Sequence, residues 1–167
     1  MASLDPFVKI RQRIIRIEQW YKSLSAPKLI QFIRLTETAI APTRGYENDA
    51  GWDLYVSERT EIPPSSFVDV PSGIRAAFPP GVWARITGRS STLRKRGLLV
   101  VEGVIDGDYT GPLYAGVYNL GTECVVLEVG ERVAQIIPTP LVQCTWNETK
   151  TITDSSRGSK GFGSSGK

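Results

Sequence analysis

The chain has 167 residues, 41% hydrophobic and 22% charged, which predicts one soluble globular domain with a real core. No apolar run approaches the ~18 residues of a membrane span, no signal-peptide pattern opens the chain, and Cys124 and Cys144 form no C-x-x-C. With no histidine in the sequence, Ser-His-Asp and Cys-His mechanisms are excluded, and acid–base work near neutral pH falls to a carboxylate, lysine, tyrosine or bound water.

The formal charge of +3 is uneven: residues 1–27 carry five basic and two acidic side chains, whereas residues 28–167 carry fifteen of each. A nucleic-acid footprint on the main body is therefore not expected. The expected location is intracellular, with cytoplasm, nucleus and a viral source left open. Both cysteines are expected to be small hydrophobes in strands.

Residues 1–27 read as a basic amphipathic helix. Asp5 suits the N-cap and Pro6 the first helical position. Phe7, Ile10, Ile14, Ile17, Tyr21 and Leu24 recur at alternating steps of three and four, an a/d seam whose isoleucines lean toward trimers. Three uses stay open at this point: a helix laid on its own body, a trimer or partner contact, or a membrane-surface role.

From Lys28 the pattern changes to short strands rich in β-branched and aromatic residues: "KLIQFIRL", "GWDLYV", "SFVDV", "GIRAAF", "VWARIT", "LLVVEGVI", "LYAGVYNL", "CVVLEV" and "RVAQIIP". Turn signals separate them, among them Pro71-Ser72-Gly73, Pro79-Pro80-Gly81 and Asp106-Gly107. This spacing predicts an antiparallel all-β sandwich or barrel over residues 28–150, with one helical turn at "SSTLRKR". Residues 151–167, rich in Thr, Ser, Gly and Lys, have little to bury and are expected to be flexible.

Four stretches carry chemistry. "ARITGRSSTLRKRG" sets Arg89, Ser90 and Ser91 before the helical turn, either an anion cradle or an ordinary helix cap. "EGVIDGDYTGP" places Asp106, Asp108 and Tyr109 around an Asp-Gly hairpin signal, where a carboxylate and a ring can hold a water and a sugar face. "NDAGWDLYV" puts Asp53 behind a small Ala50-Gly51 pair; beside a phosphate cradle it can hold waters of a hydrated Mg²⁺. The tail "RGSKGFGSSGK" matches G-x-G-x-x-G and nearly a P-loop. It lacks the strand, helix and Ser/Thr either would need, leaving a phosphate-wrapping string or a plain disordered tail.

In order along the chain, "AGWDLY", "GRSS", "GVIDGDYTG", "GERVAQ" and "RGSKGFGSSG" resemble the five motifs of the trimeric dUTP pyrophosphatases (dUTPases), over Lys28 to Lys167. The resemblance implies a distorted, jelly-roll-like antiparallel β-barrel, here with an extra N-terminal helix and a C-terminal lid. It also implies a homotrimer with sites at subunit interfaces, and Mg²⁺-assisted hydrolysis of dUTP to dUMP and pyrophosphate, supplying dUMP for thymidylate synthesis. By position, Asp106 resembles the carboxylate that deprotonates the attacking water, and Gln135 the polar group near that water. Tyr109 resembles the ring against deoxyribose, and Gly103, Val104 and Ile105 lie in the hairpin whose backbone reads uracil. Arg89, Ser90 and Ser91 match phosphate contacts, and Asp53 the residue reaching Mg²⁺ through water. In the tail, Arg157 resembles a γ-phosphate ligand and Phe162 the ring over uracil. Gly161, Gly163, Ser164 and Ser165 complete that motif.

Three places depart from the family pattern, the mildest being Ser164-Ser165 where Ser-Thr is common. Glu131 stands where Asp is usual, one methylene longer, and Glu102 brings a charge into the uracil-reading hairpin, where it is expected to point outward. The related dCTP deaminases need a glutamate three residues before the Asn of "YAGVYNLG", where this chain has Gly116. A dUTPase-like regulatory binding protein is the other alternative.

Overall fold

The computed structural model describes residues 6–25, 28–153, 155 and 158. Helix α1 (Pro6–Ser25) opens on Pro6, whose missing N–H is one a first helical turn leaves unbonded anyway. The predicted Asp5 cap lies outside the described residues. The described side chains of α1 are all exposed.

Ten strands follow: β1 (Gln31–Arg34), β2 (Trp52–Tyr55), β3 (Thr60–Ile62), β4 (Phe67–Ala77), β5 (Val82–Gly88), β6 (Leu98–Val100), β7 (Gly103–Ile105), β8 (Pro112–Asn119), β9 (Val125–Leu127) and β10 (Arg132–Pro140). A second helix, α2 (Ser90–Arg96), lies between β5 and β6, where "SSTLRKR" predicts a helical turn. All pairings are antiparallel, in two four-stranded sheets ordered β1-β4-β8-β6 and β2-β10-β5-β7, and a β3-β9 ribbon. This is the expected jelly-roll-like all-β fold. It does not close into a barrel, because both sheets keep open edges.

Alternation builds the core. Along β8, Leu113, Ala115 and Val117 point inward and Tyr114 outward, sharing one core with Val70, Ile74 and Leu98 of the flanking strands β4 and β6 and with Ile86 of the other sheet. At the end of the same inward row Asn119 is fully buried, with Nδ2 donating to Ile62 O (2.9 Å) and Glu123 O (2.8 Å) and Oδ1 accepting from Gly121 N–H (2.8 Å). A buried amide with these partners ties β3, β8 and the following loop together without an unmet polar group.

Several local expectations fail for identifiable reasons. Pro71-Ser72-Gly73 is not a turn but a bulge inside β4, where the register against β8 shifts between Pro71 and Arg75. Gly73 there has φ 68, and a Cβ would lie 2.6 Å from that of Ser57, so glycine is required sterically as well. Ser72 turns inward to donate to Leu113 O (2.6 Å). "LLVVEGVI" is two strands, because the chain leaves one sheet for the other at Val101-Glu102. The expected hairpin is therefore a corner, with β6 on β8 and β7 on β5. The Asp106-Gly107 signal likewise marks a turn joining the two sheets rather than a two-residue hairpin. Cys124 and Cys144 are exposed and lie outside strands, contrary to expectation.

Candidate active site

Strand β10 is flanked by β2 and β5, and its register sets Gln135 opposite Asp53 on one side and Thr87 on the other. Gln135 Nε2 donates to Gly88 O (2.9 Å). Its amide fills the space in front of Gly51, where any Cβ would fall 2.3 Å from Gln135 Oε1. The small residue before "WDLY" therefore makes room for Gln135.

Asp53 is the hinge of this cluster. Its side chain is 14% exposed, with Oδ1 2.5 Å from Arg89 Nε and Oδ2 3.2 Å from Arg132 Nη1. Arg89 occupies the N-cap position of α2 in extended geometry (φ −78, ψ 152) but makes no side-chain cap, so its guanidinium is spent on Asp53. Ser90 and Ser91 are thus first-turn residues and not the cap. Farther along α2, buried Thr92 Oγ1 donates to Val133 O (2.9 Å). At the last residue of α2, Arg96 donates from Nη1 to Glu131 Oε2 (2.8 Å) and from Nη2 to Val126 O (2.8 Å).

These contacts close a ring. Asp53 holds Arg89 at the start of α2 and Arg132 on β10, while Arg96 at the end of α2 holds Glu131, the neighbour of Arg132. Partial burial pushes the Glu131 carboxyl up. The Arg96 hydrogen bond, the Glu128 N–H (3.0 Å) and the Arg96 charge together more than reverse this, leaving it below its ordinary value. A cavity of about 270 Å³ beside the ring is lined in part by Thr87, Arg89, Ser90 and Arg94, just short of the ~300–1,000 Å³ typical of a complete small-molecule site.

A second cluster runs along the side of β5 away from β10 and ends in a turn against Val82. Strand β7 pairs Gly103, Val104 and Ile105 with Ile86, Arg85 and Ala84. As an edge strand it turns a row of backbone N–H and C=O groups away from the sheet. Beyond Ile105 the chain makes a turn in which Tyr109 N–H donates to Asp106 O (3.1 Å), and Tyr109 Oη donates to Pro112 O (3.0 Å). Asp106 is exposed on that turn. Glu102 is exposed, with its carboxylate 3.8 Å from Arg85 Nη1.

The family profile described as dUTPase matches residues 37–166. The chain belongs to the dUTPase family. The deoxyuridine 5'-triphosphate nucleotidohydrolase of Yarrowia lipolytica is 42% identical over 136 residues, covering 79% of this chain and 85% of its own. The Rattus norvegicus protein of that name is 38% identical over 166 residues, 99% of this chain and 77% of its own. The mitochondrial Homo sapiens protein is 39% identical over 138 residues, and the match spans about half of its length, 55%. Among solved structures, the Staphylococcus bacteriophage 80alpha dUTPase with dUPNHPP aligns with a TM-score of 0.79 at 25% identity, over 83% of this chain and 98% of that one.

Within this family framework, one chain brings together Asp53, Arg89, Ser90, Ser91 and Gln135. It separately brings together Gly103, Val104, Ile105, Asp106 and Tyr109. The Asp106 turn lies against Val82 at the start of β5, whereas the Arg89 group sits past the end of that strand. Ala84, opposite Ile105, and Gly88, opposite Ala134, are four residues apart on β5, roughly 13 Å at the strand rise. Gln135, expected near the water at Asp106, lies with the distant group. Arg157, Gly161, Phe162, Gly163, Ser164 and Ser165 lie outside the described residues. Arg132 and Arg96 are not among the candidates drawn from the sequence. The arginine inside "GERVAQ" signals the first, and nothing local signals the second.

Proposed function

We propose that the protein hydrolyses dUTP to dUMP and pyrophosphate at sites completed between the copies of a homotrimer. The observation that carries this reading is that the Asp106 turn lies at the Val82 end of β5 and the Arg89 cluster beyond its Gly88 end. The Asp106 turn of one copy can serve a substrate whose phosphates lie on the Arg89 cluster of another.

In this reading Asp106 orients a water and accepts its proton as the water oxygen bonds to the α-phosphorus. The bond from that phosphorus to the bridging oxygen breaks, and pyrophosphate leaves with the electron pair. Arg89, Ser90, Ser91 and Arg132 face the phosphate charge, and Gln135 of that copy approaches the water. The outward backbone of β7 reads the uracil edge, and Tyr109 covers the deoxyribose. Arg157, Phe162, Ser164 and Ser165 close over the nucleotide.

The donor set fits a hydrated magnesium carried in by the triphosphate rather than one caged by protein. Among the described residues no group of three or more acidic, cysteine or histidine side chains gathers to hold a metal. Asp53 gives one oxygen to each arginine, and a carboxylate accepts about four hydrogen bonds, so it can still hold a metal-bound water. Bound there, Mg²⁺ would offset phosphate charge.

The deaminase alternative lacks its catalytic carboxylate: Gly116 stands at that position, with the exposed Phe67 ring against it. Pyrophosphate release from dUTP, dCTP and UTP with Mg²⁺ tests the proposal. Release from dUTP alone is expected, and none from dUTP overturns it.

A further inference from the structure

Helix α1 is the largest feature that the catalytic reading leaves unused. It runs 20 residues, about 30 Å, and exposes Ile10, Ile14 and Ile17 at 54%, 51% and 62%. An apolar row left in water forgoes roughly 25 cal/mol for each Å² it could bury, so it calls for a partner.

We infer that the partner is a second and third copy of α1, joined as a parallel, in-register three-stranded coiled coil. In heptad terms Ile14 is an a residue and Ile10 and Ile17 are d residues. Isoleucine at both positions shifts preference from two strands to three or more. The flanks give the alignment. Arg13 falls at g and Glu18 at the following e, the two positions that face each other between parallel neighbours. Each copy thus offers Arg13 to Glu18 of the next, and both side chains are exposed. Among the described residues, neither makes an ion pair within its own chain.

The shape of the apolar surface separates this partner from a lipid surface. Val8 and Ile15 lie on a different line of the helix, divided from the isoleucine row by Arg11 and Glu18. The helix therefore has a narrow seam and not the broad apolar face of an interfacial helix. Three heptads are short for an independent coiled coil. Tethering to a shared body raises the local concentration of the helices to about millimolar, which compensates. That tether rests on the homotrimer proposed above, whose rotational symmetry also sets the helices parallel.

Cysteine crosslinking in the full chain tests the inference, with Cys124 and Cys144 replaced by serine. Ile14→Cys sits on the seam and Gln12→Cys on the opposite face. Under mild oxidation the first should crosslink between copies at least about tenfold faster than the second. Adding Arg13→Glu to Ile14→Cys should slow crosslinking, and adding Glu18→Arg as well should restore it. Equal rates for the two cysteines, or no restoration by the charge swap, overturn the coiled coil. So does binding to phosphatidylserine vesicles that is lost on Ile14→Asp, if no seam crosslink forms. Sedimentation mass and dUTP turnover of the full chain carrying Ile14→Lys report on the body alone. A trimeric, active Ile14→Lys protein keeps the shared-site reading even if the crosslinks fail. A monomeric body with seam crosslinks would sink that reading instead.

Discussion

Arg96 Nη1 and Glu131 Oε2 lie 2.8 Å apart, joining the last residue of α2 to the loop that leads into β10. Arg132, the next residue, grips Asp53, and Asp53 grips Arg89 at the other end of α2. The extra methylene of Glu131 therefore reaches a partner on α2, and the pair fixes how the arginines present themselves.

Glu131→Gln should leave the fold intact and lower stability at pH 7 by on the order of 1 kcal/mol, the lower end for a charge-assisted bond because the carboxylate is 38% exposed. The pH dependence has a definite sign. The folded carboxyl titrates below its ordinary value of 4.5, so the stability it contributes is present above that value and is lost as pH falls through the folded one. Urea melts of both proteins should converge as pH drops below about 4.5. A constant gap across that range would show that Glu131 acts without its charge.

Asp53→Asn should cut dUTP turnover by about 100-fold, because both arginines lose the anchor that aims them. Excess magnesium separates two causes. If Asp53 acts mainly by positioning Arg89 and Arg132, the loss persists at saturating Mg²⁺. Recovery there would assign the residue chiefly to the metal's water shell.

Strand positions were largely readable because alternation and β-branched residues mark half-buried strands. Where the chain changes sheets, the same pattern misleads. "LLVVEGVI" is continuous in composition, yet Val100 pairs with Val117 in one sheet and Ile105 with Ala84 in the other. The β3 strand "TEI" was too short and polar to announce itself and is held by β9 and Asn119. At the site, Asp53, Arg89 and Asp106 could be named from motif order. The Arg96–Glu131 bond could not, since it joins a helix and a loop remote in sequence. Nor does any local pattern say that Gln135 and Asp106 fall toward opposite ends of a shared sheet.

Gly107→Ala should lower turnover by about 10- to 100-fold with a smaller change in melting temperature. A Cβ there would sit 2.5 Å from Val82 O, a backbone atom of β5 that cannot swing aside. The turn must move instead, carrying Asp106 and Tyr109 with it. Unchanged turnover would mean that the position of this turn does not limit the reaction.

The sharpest test of a divided site is recovery of activity from two dead proteins. Asp106→Asn and Arg89→Gln should each be inactive alone. If Asp106 and Arg89 of one chain served the same site, mixed trimers would stay dead, because every chain carries one defect. If they serve different sites, unfolding and refolding an equal mixture restores about a quarter of the sites, those pairing an intact Asp106 turn with an intact Arg89 cluster. The measurement is pyrophosphate release from dUTP after co-refolding, with the two proteins refolded separately and then mixed as the control. Activity in the co-refolded sample alone supports the roughly 13 Å separation along β5 as a feature of the working enzyme. Silence in both samples would place Asp106 and Arg89 in one site and require the Asp106 turn to cross that distance within its own chain.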